Sequence, residues 1–233
     1  MTTPIEPEFD VKAHFESVYQ ENRFNGGESR SGEGSSLSAT SVIREELPKL
    51  LQKLNIRTIL DIPCGDLHWI SQIDKKGASY LGADISHSLI ENNKRNYSNF
   101  GTFMQIDAIA EIPPKVDLIF CRDMLVHLPN EMVKRVLANF CKSQSTWLLT
   151  TTFTHRVKNK NFSFSKNQVA WRPLNLERAP FNFPSAEVVI NEDCKEGNGL
   201  FSDKSLGLWK IEDLDLKKLF EKRPRFRKPS LSK

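Results

Sequence analysis

The sequence has no run of about 18 apolar residues long enough to span a membrane, and it has no signal-peptide pattern. Its four cysteines, at positions 64, 121, 141 and 194, lack the paired spacing of a metal site and the density of a disulfide framework. Cys64 and Cys121 stand beside apolar strand residues, where a free thiol behaves as a small buried hydrophobe. Internal repeats are also absent. We therefore expect a cytoplasmic protein without a membrane span, and we expect no metal site.

Net charge is also small, at +4 over 233 residues, and 39% of the residues are hydrophobic. These values predict one domain with elaborations. The basic residues gather near the end of the chain, in a tail over 222–233 that contains Lys222, Arg223, Arg225, Arg227, Lys228 and Lys233. Such a tail suits contact with nucleic acid or an anionic membrane, but it is also typical of a solvated terminus.

The central stretch of the sequence is 57–69, where the apolar run Thr-Ile-Leu ends on Asp61. This run predicts a buried parallel strand. Pro63 and Gly65 then end the strand, and Gly65 lets a ligand approach the backbone. A helix is expected over 67–73, with its free N–H groups directed at the ligand. The pattern indicates a nucleotide-type pocket, but the G-x-G-x-x-G spacing of dinucleotide sites is absent.

Two later strands are also predicted to lead to acids. One covers 79–84 and ends on Asp84, and the other covers 102–107 and ends on Asp107. Asp84 follows the glycine turn by about 20 residues, where a ribose-binding acid is expected. One carboxylate can accept hydrogen bonds from both ribose hydroxyls. Together with Asp61, these acids are expected to line one edge of a sheet.

The string Asp-Ile-Pro-Cys-Gly-Asp at 61–66, with the two later acids, resembles the cofactor motifs of class I S-adenosylmethionine-dependent methyltransferases. The resemblance implies S-adenosylmethionine as cofactor, held by its amino-acid end near Asp61, by its ribose at Asp84 and by its adenine at Asp107. The cofactor contacts that it implies are Arg30, Gly32, Asp61, Pro63, Cys64, Gly65, Asp84, Ile85, Asp107, Ala108 and Arg122.

The same resemblance implies the fold class: an α/β, Rossmann-like, seven-stranded, mostly parallel sheet in the order 3-2-1-4-5-7-6, with helices on both faces and an antiparallel edge hairpin. Periodicity predicts further strands over 116–121, 146–153, 186–190 and 206–211, and helices over 11–19, 86–97, 131–142 and 214–220. A helix over about 40–54 contains Pro48, so two shorter helices are equally compatible with it. We divide the chain into an N-terminal extension (1–25), a methyltransferase domain (26–221) and the basic tail.

Residues 26–36 are rich in glycine and serine, which is typical of a flexible linker. They also carry Glu28 and Arg30 and precede a helix, so a lid over a polar ligand is a second interpretation. A Ser-Arg-Ser-Gly-x-Gly-Ser segment is similar to one in a set of bacterial and viral methyltransferases associated with surface-glycan genes. That resemblance favours the lid.

Candidate proton acceptors lie in the loop after the fourth strand, which resembles the loop beside the transferred methyl group in this family. Asp123 and His127 are the first candidates, with His155 in reserve. Asp123 could instead line the cofactor pocket, and His127 could be a packed structural histidine. An aperiodic segment over 154–185 is expected to bind the acceptor, because it combines aromatic rings with polar donors. Its candidate contacts are Arg156, Asn161, Trp171, Arg172 and Asn175.

These features predict an O-methyltransferase that acts on a hydroxyl of a sugar in a surface glycan or its precursor. A nucleic-acid or other small-molecule methyltransferase is an alternative, although the chain has no Asn/Asp-Pro-Pro-Tyr/Phe string after the fourth strand. A third interpretation is a module that binds the cofactor without catalysis and recruits a partner.

Overall fold

A seven-stranded sheet lies at the centre of the structure, which is a computed structural model that describes residues 9–165 and 168–220. The predicted basic tail lies outside the described residues. The strands are β1 (Thr58–Asp61), β2 (Ser79–Asp84), β3 (Thr102–Gln105), β4 (Leu118–Cys121), β5 (Trp147–Phe153), β6 (Val188–Asn191) and β7 (Lys204–Lys210). Their order is β3-β2-β1-β4-β5-β7-β6. The first five strands pair in parallel, and β7 pairs antiparallel with both β5 and β6. The predicted fold class is confirmed.

Apolar side chains alternate between the two faces of this sheet, because successive strand residues point in opposite directions. Ile59 joins one buried cluster and Leu60 joins the other. Helices cover both faces: α1 (Val11–Gln20), α2 (Ser41–Lys53), α3 (His87–Asn96), α4 (Asn130–Lys142) and α5 (Leu216–Phe220). In α2, Pro48 lies inside one continuous helix, which settles the two alternatives for this segment. Among the described residues, no helix is both long enough and apolar enough to cross a membrane.

The helix predicted over 67–73 is wrong. Only a 3-10 turn, Ile70–Gln72, forms between β1 and β2. Leu67 takes a left-handed conformation with φ of 59°, which an α-helix cannot contain. The carboxylate of Asp66 accepts hydrogen bonds from the Ser29 hydroxyl and the Arg30 backbone N–H, each at 2.8 Å. The pocket after β1 is therefore built from a turn that long-range contacts hold, and not from a helix N-terminus.

The segment over 154–185 has no helix or strand among its described residues, as the loss of periodicity predicted. It packs against the domain through buried apolar side chains, including Leu174, Leu176, Phe181 and Phe183. Phe181 and Phe183 are thus core residues. They are unavailable as exposed rings for an acceptor.

Candidate active site

The three acids at the strand ends lie around one pocket at the carboxyl edge of the sheet. Asp61 ends β1, Asp84 ends β2, and Asp107 lies two residues beyond β3. Because β3, β2 and β1 are neighbours in the sheet, their ends bring these side chains to one rim. Other predicted cofactor residues also line this pocket, namely Arg30, Pro63, Cys64, Gly65, Ile85, Ala108 and Arg122, whereas Gly32 does not.

Asp61 and Asp84 are both buried in the pocket wall. The Tyr80 hydroxyl donates a hydrogen bond to Asp61 at 2.5 Å, and Asp84 accepts the backbone N–H of Ser86 at 3.0 Å. Burial disfavours the charged form. It raises the pKa of Asp61 to about 7 and that of Asp84 to about 6, against the opposing effect of these hydrogen bonds. The two acids are therefore arranged to become fully ionised when a cation or hydrogen-bond donors enter the pocket.

Gly65 forms the floor of the pocket in a left-handed conformation, with φ of 54°. A Cβ at this position would collide with the Ser31 hydroxyl, so glycine lets the turn and the segment over 26–36 approach each other closely. The side-chain amide of Asn93 donates to the Gly65 carbonyl at 2.7 Å, which fixes the turn to α3.

The glycine- and serine-rich segment is tied to residues of the pocket at two places. Ser29 and Arg30 bind Asp66, and the Gly34 carbonyl accepts a hydrogen bond from Arg122 Nη2 at 2.9 Å. The guanidinium of Arg30 also donates to two carbonyls at the end of α1. This arrangement suits a lid better than a free linker, and the lid stays a proposal.

Helix α1 forms another wall of the pocket, through Phe15 and Val18 among others. The Glu16 carboxylate accepts the backbone N–H groups of His87 at 2.8 Å and Ser88 at 3.2 Å, and so satisfies free donors at the start of α3. Part of the predicted N-terminal extension therefore belongs to the pocket.

Four charged side chains form a closed cluster after β4. Asp123 Oδ2 lies 2.6 Å from Lys204 Nζ and 3.3 Å from Arg122 Nη1. Glu192 Oε2 lies 2.7 Å from Arg122 Nη2 and 3.4 Å from Lys204 Nζ. Burial alone would raise the pKa of Asp123, but the two cations outweigh it and hold that pKa well below its usual range. Asp123 is therefore a carboxylate that readily accepts hydrogen bonds but is a weak acceptor of protons.

His127 lines the same pocket from the 3-10 turn Leu125–His127. Its Nδ1 lies 2.9 Å from the Ala170 carbonyl oxygen. A carbonyl only accepts, so Nδ1 carries the hydrogen and Nε2 of the neutral ring keeps a lone pair. Burial lowers the pKa of His127 below its ordinary value of 6.5. At neutral pH the ring is therefore uncharged and ready to accept a proton at Nε2.

None of the five predicted acceptor contacts is among the residues that line this pocket. Arg172 donates to the carbonyls of Lys160, Leu125 and Val126, and Asn175 donates to those of Thr154 and Arg156. These polar groups hold the irregular segment in place with donors that are already used, and acceptor contact by either side chain stays a prediction.

Two other candidates of that segment, Asn161 and Arg156, also have partners within the protein. Asn161 accepts the backbone N–H of Asn130 at 2.8 Å, and Arg156 forms an ion pair with Asp203 at 2.7 Å. His155 also lies outside the pocket lining, so its place as a reserve proton acceptor is not supported. Of the predicted acceptor contacts, Trp171 has a broad exposed surface, at 42%.

Sequence reasoning missed Lys204, Glu192 and Tyr80. Lys204 begins β7 and Glu192 follows β6, and only the pairing of the edge hairpin brings them to Asp123. A single charged residue beside a predicted strand carries no signal for such a cluster. Among the described residues, no group of three His, Cys, Asp or Glu side chains is arranged to hold a metal ion.

Comparison with known proteins finds similarity over part of this chain. Residues 59–144 match the family described as a methyltransferase domain. A ubiquinone biosynthesis O-methyltransferase from Hydrogenovibrio crunogenus is 28% identical over 109 residues, which make up 43% of this chain and 44% of that protein. The chain thus matches less than half the length of this curated relative.

Solved structures share the fold. Magnesium protoporphyrin IX methyltransferase (ChlM) from Synechocystis PCC 6803, solved with bound S-adenosylmethionine, aligns over 88% of this chain and 99% of its own with a TM-score of 0.58 at 14% identity. The pyocyanin biosynthetic protein PhzM aligns over 75% of this chain and 56% of its own with a TM-score of 0.55, also at 14% identity. The matched segment is that of a methyltransferase domain, and the sheet around it has the fold of a solved methyltransferase that binds S-adenosylmethionine. The cofactor of this chain is S-adenosylmethionine.

The buried acids predict that cofactor binding weakens as the pH falls. Without a ligand, the pKa of Asp61 is about 7 and that of Asp84 about 6. A cationic ligand that donates hydrogen bonds favours both carboxylates and lowers both pKa values, so binding releases protons. The affinity for S-adenosylmethionine should be highest when the pH is above both pKa values. Below them it should decline by up to about tenfold per pH unit for each carboxyl group.

Isothermal titration of S-adenosylmethionine in two buffers of different ionisation enthalpy measures both the affinity and the proton release. Affinity that stays constant from about pH 5.5 to 7.5, with no proton release, would show that the two acids do not hold the ligand.

Proposed function

We propose that this chain transfers the methyl group of S-adenosylmethionine to a hydroxyl, and that the hydroxyl belongs to a sugar of a surface glycan or its precursor. One observation carries the proposal: a neutral histidine, His127, lines the same pocket as Asp61, Asp84 and Asp107. A hydroxyl is a weak nucleophile until a base accepts its proton, and a base beside the cofactor pocket meets that need.

When bound, S-adenosylmethionine supplies an electrophilic methyl group. In the proposed mechanism, Asp84 would accept hydrogen bonds from the ribose hydroxyls, and Asp107 with Ala108 would contact the adenine. Asp61 and the Gly65 turn would hold the amino-acid end. The main contribution of the residues to the rate is to place the acceptor oxygen in line with the methyl group, because positioning lowers the barrier of such a displacement.

His127 Nε2 then receives the acceptor's proton while its Nδ1–H remains bound to the Ala170 carbonyl. Asp123 is a less suitable base, because Lys204 and Arg122 lower its pKa. Its carboxylate is better suited to accept a hydrogen bond that orients the acceptor, or to stabilise the imidazolium. One relative's description as an O-methyltransferase supports a hydroxyl acceptor. All four cysteines are free thiols, which is compatible with the expected cytoplasmic location.

Incubation with methyl-labelled S-adenosylmethionine and a panel of activated sugars, oligosaccharides, RNA and small phenols tests the proposal. Label should enter a sugar hydroxyl. Label in RNA alone would favour the nucleic-acid alternative, and tight cofactor binding with no transfer to any acceptor would favour a non-catalytic module. Label in phenols alone would support the proposed O-methyltransferase activity and contradict the proposed sugar acceptor.

A further inference from the structure

Three aromatic rings meet at the end of β5. We call them the aromatic corner: Phe153, Trp171 and Phe201. The ring centroids of Trp171 and Phe201 are 4.8 Å apart with their planes at 68°, and those of Phe153 and Trp171 are 6.3 Å apart. Phe153 is buried, whereas Trp171 and the neighbouring Leu200 are 42% and 62% exposed. A large indole is thus held in a fixed orientation and remains open on one side.

The corner lies next to the candidate active site along the edge of the sheet. The ends of β1, β2 and β3 carry the cofactor acids, β4 leads to His127, and β5 is the next strand. Neighbouring strands are about 4.8 Å apart, so the end of β5 is within the reach of a small ring bound beside the β4 loop.

Two of the rings are also close in sequence to residues that contact His127 and Asp123. Trp171 directly follows Ala170, whose carbonyl oxygen lies 2.9 Å from His127 Nδ1. On the other side, Phe201 lies three residues before Lys204, whose ammonium lies 2.6 Å from Asp123. The rings that form the corner and the groups proposed to act on the acceptor are therefore positioned by the same two segments.

Charged groups border the corner. Arg156 Nη2 lies 2.7 Å from Asp203 Oδ1, and its guanidinium carbon is 5.8 Å from the ring centroids of both Phe153 and Phe201. The Arg156 Nε is buried without a hydrogen-bond partner among the described residues. Asp203 itself is buried, and its two oxygens accept hydrogen bonds from Arg156 and from the backbone N–H of His155. The charged group at the edge of the apolar surface is therefore the Arg156 guanidinium, which can donate strong hydrogen bonds to hydroxyl groups.

Building on the proposed methyl transfer, we propose that the aromatic corner is the acceptor subsite and that it binds a pyranose ring. The apolar C–H face of the sugar lies on the indole of Trp171, and Phe201 limits its movement at one edge. Hydroxyls at the ring edge then face Arg156 on one side and His127 on the other.

The shape of the corner favours a sugar over a flat aromatic acceptor. Planar ring systems gain most from offset parallel stacking, and a slot between two parallel rings would suit them. Here the two rings meet at 68°, which leaves a single open face beside the Arg156 guanidinium. A sugar matches that combination, because it has one apolar face and hydroxyls around its edge.

The test uses Trp171→Ala, Trp171→Phe and Phe201→Ala, with Ile112→Ala as control. Ile112 is also an exposed apolar residue, at 55%, but does not line the pocket. The probes are methyl glucopyranoside, methyl galactopyranoside and methyl mannopyranoside, with catechol for comparison. Ligand-observed NMR on protein saturated with S-adenosylhomocysteine reports binding, and transfer of labelled methyl reports turnover.

Trp171→Ala should lower kcat/KM for a bound glycoside about tenfold and remove the saturation transfer to its C–H face. Trp171→Phe should recover part of the loss, and cofactor affinity should stay within about twofold of the wild-type value in every variant. Thermal unfolding confirms that each variant is folded.

Three results would overturn the subsite. They are a Trp171→Ala protein indistinguishable from Ile112→Ala, a wild-type protein that binds none of the glycosides, and catechol binding that depends on Trp171 when glycoside binding does not. Glycoside binding that depends on Trp171, without any methyl transfer, would instead keep the subsite and contradict the proposed catalytic function.

Discussion

His127→Ala should lower the rate of methyl transfer by about 100-fold and leave the affinity for S-adenosylmethionine nearly unchanged. The reason is the arrangement of the imidazole. Its Nδ1–H is bound to the Ala170 carbonyl, and burial keeps the ring neutral, so Nε2 is the available proton acceptor. Alanine removes that acceptor without touching Asp61, Asp84 or Asp107. Single-turnover transfer to an identified acceptor measures the rate, and isothermal titration measures cofactor affinity.

His155→Ala is the matched control, because His155 lies outside the pocket lining and this variant should keep the wild-type rate.

The pH profile of the transfer rate gives a second check on His127. Saturating S-adenosylmethionine removes the effect of pH on cofactor binding through Asp61 and Asp84. Under that condition the wild-type rate should hold at neutral pH and decline as the pH falls below 6.5, because the pKa of His127 lies below this ordinary value. That decline should disappear from the residual activity of His127→Ala. An unchanged rate in this variant would remove His127 from the mechanism.

The second large effect is expected on cofactor affinity, from a change of Asp84, the acid proposed to bind the ribose. Asp84→Asn should weaken S-adenosylmethionine binding by about 100-fold, because hydrogen bonds to a charged acceptor contribute about 1.5–3 kcal/mol each and two ribose hydroxyls share this carboxylate. Asparagine has nearly the same shape and can still accept the Ser86 N–H, so the fold should be kept. Isothermal titration measures the affinity, and thermal unfolding checks the fold.

Asp74→Asn is the control for that variant. Asp74 is an exposed acid of the β1–β2 connection, outside the pocket lining, and its removal should leave binding intact. If Asp84→Asn bound the cofactor as tightly as Asp74→Asn, the ribose would have to lie elsewhere in the pocket.

Local patterns predicted the strands because each is a short apolar run with a clear boundary. The observed β2, Ser79–Asp84, has the predicted limits, and β5 begins one residue later than predicted. The first crossover failed for a reason that is not local. Its turn is fixed by Asp66, which binds Ser29 and Arg30 more than 30 residues earlier in the chain. No window of sequence around Leu67 contains those partners.

The same distinction applies to the site. The acids at the strand ends could be found because parallel strands bring their carboxyl ends to one edge. Lys204 and Glu192 could not, because their place beside Asp123 depends on the pairing of the edge hairpin. Arg172 and Asn175 were expected to bind the acceptor on their chemistry alone. In the folded chain Arg172 donates to the Leu125 and Val126 carbonyls of the turn after β4, and Asn175 donates to the Thr154 carbonyl. Backbone carbonyls need such partners when they are buried.

The most direct test of the central claim, that one rim of carboxylates holds the cofactor, is a crystal structure of the full chain with S-adenosylhomocysteine. We expect both ribose hydroxyls within hydrogen-bond distance of Asp84, the adenine beside Asp107 and Ala108, and the sulfur facing the side of the pocket that carries His127. A ligand found away from these acids, or a pocket that stays empty at saturating ligand, would contradict the account.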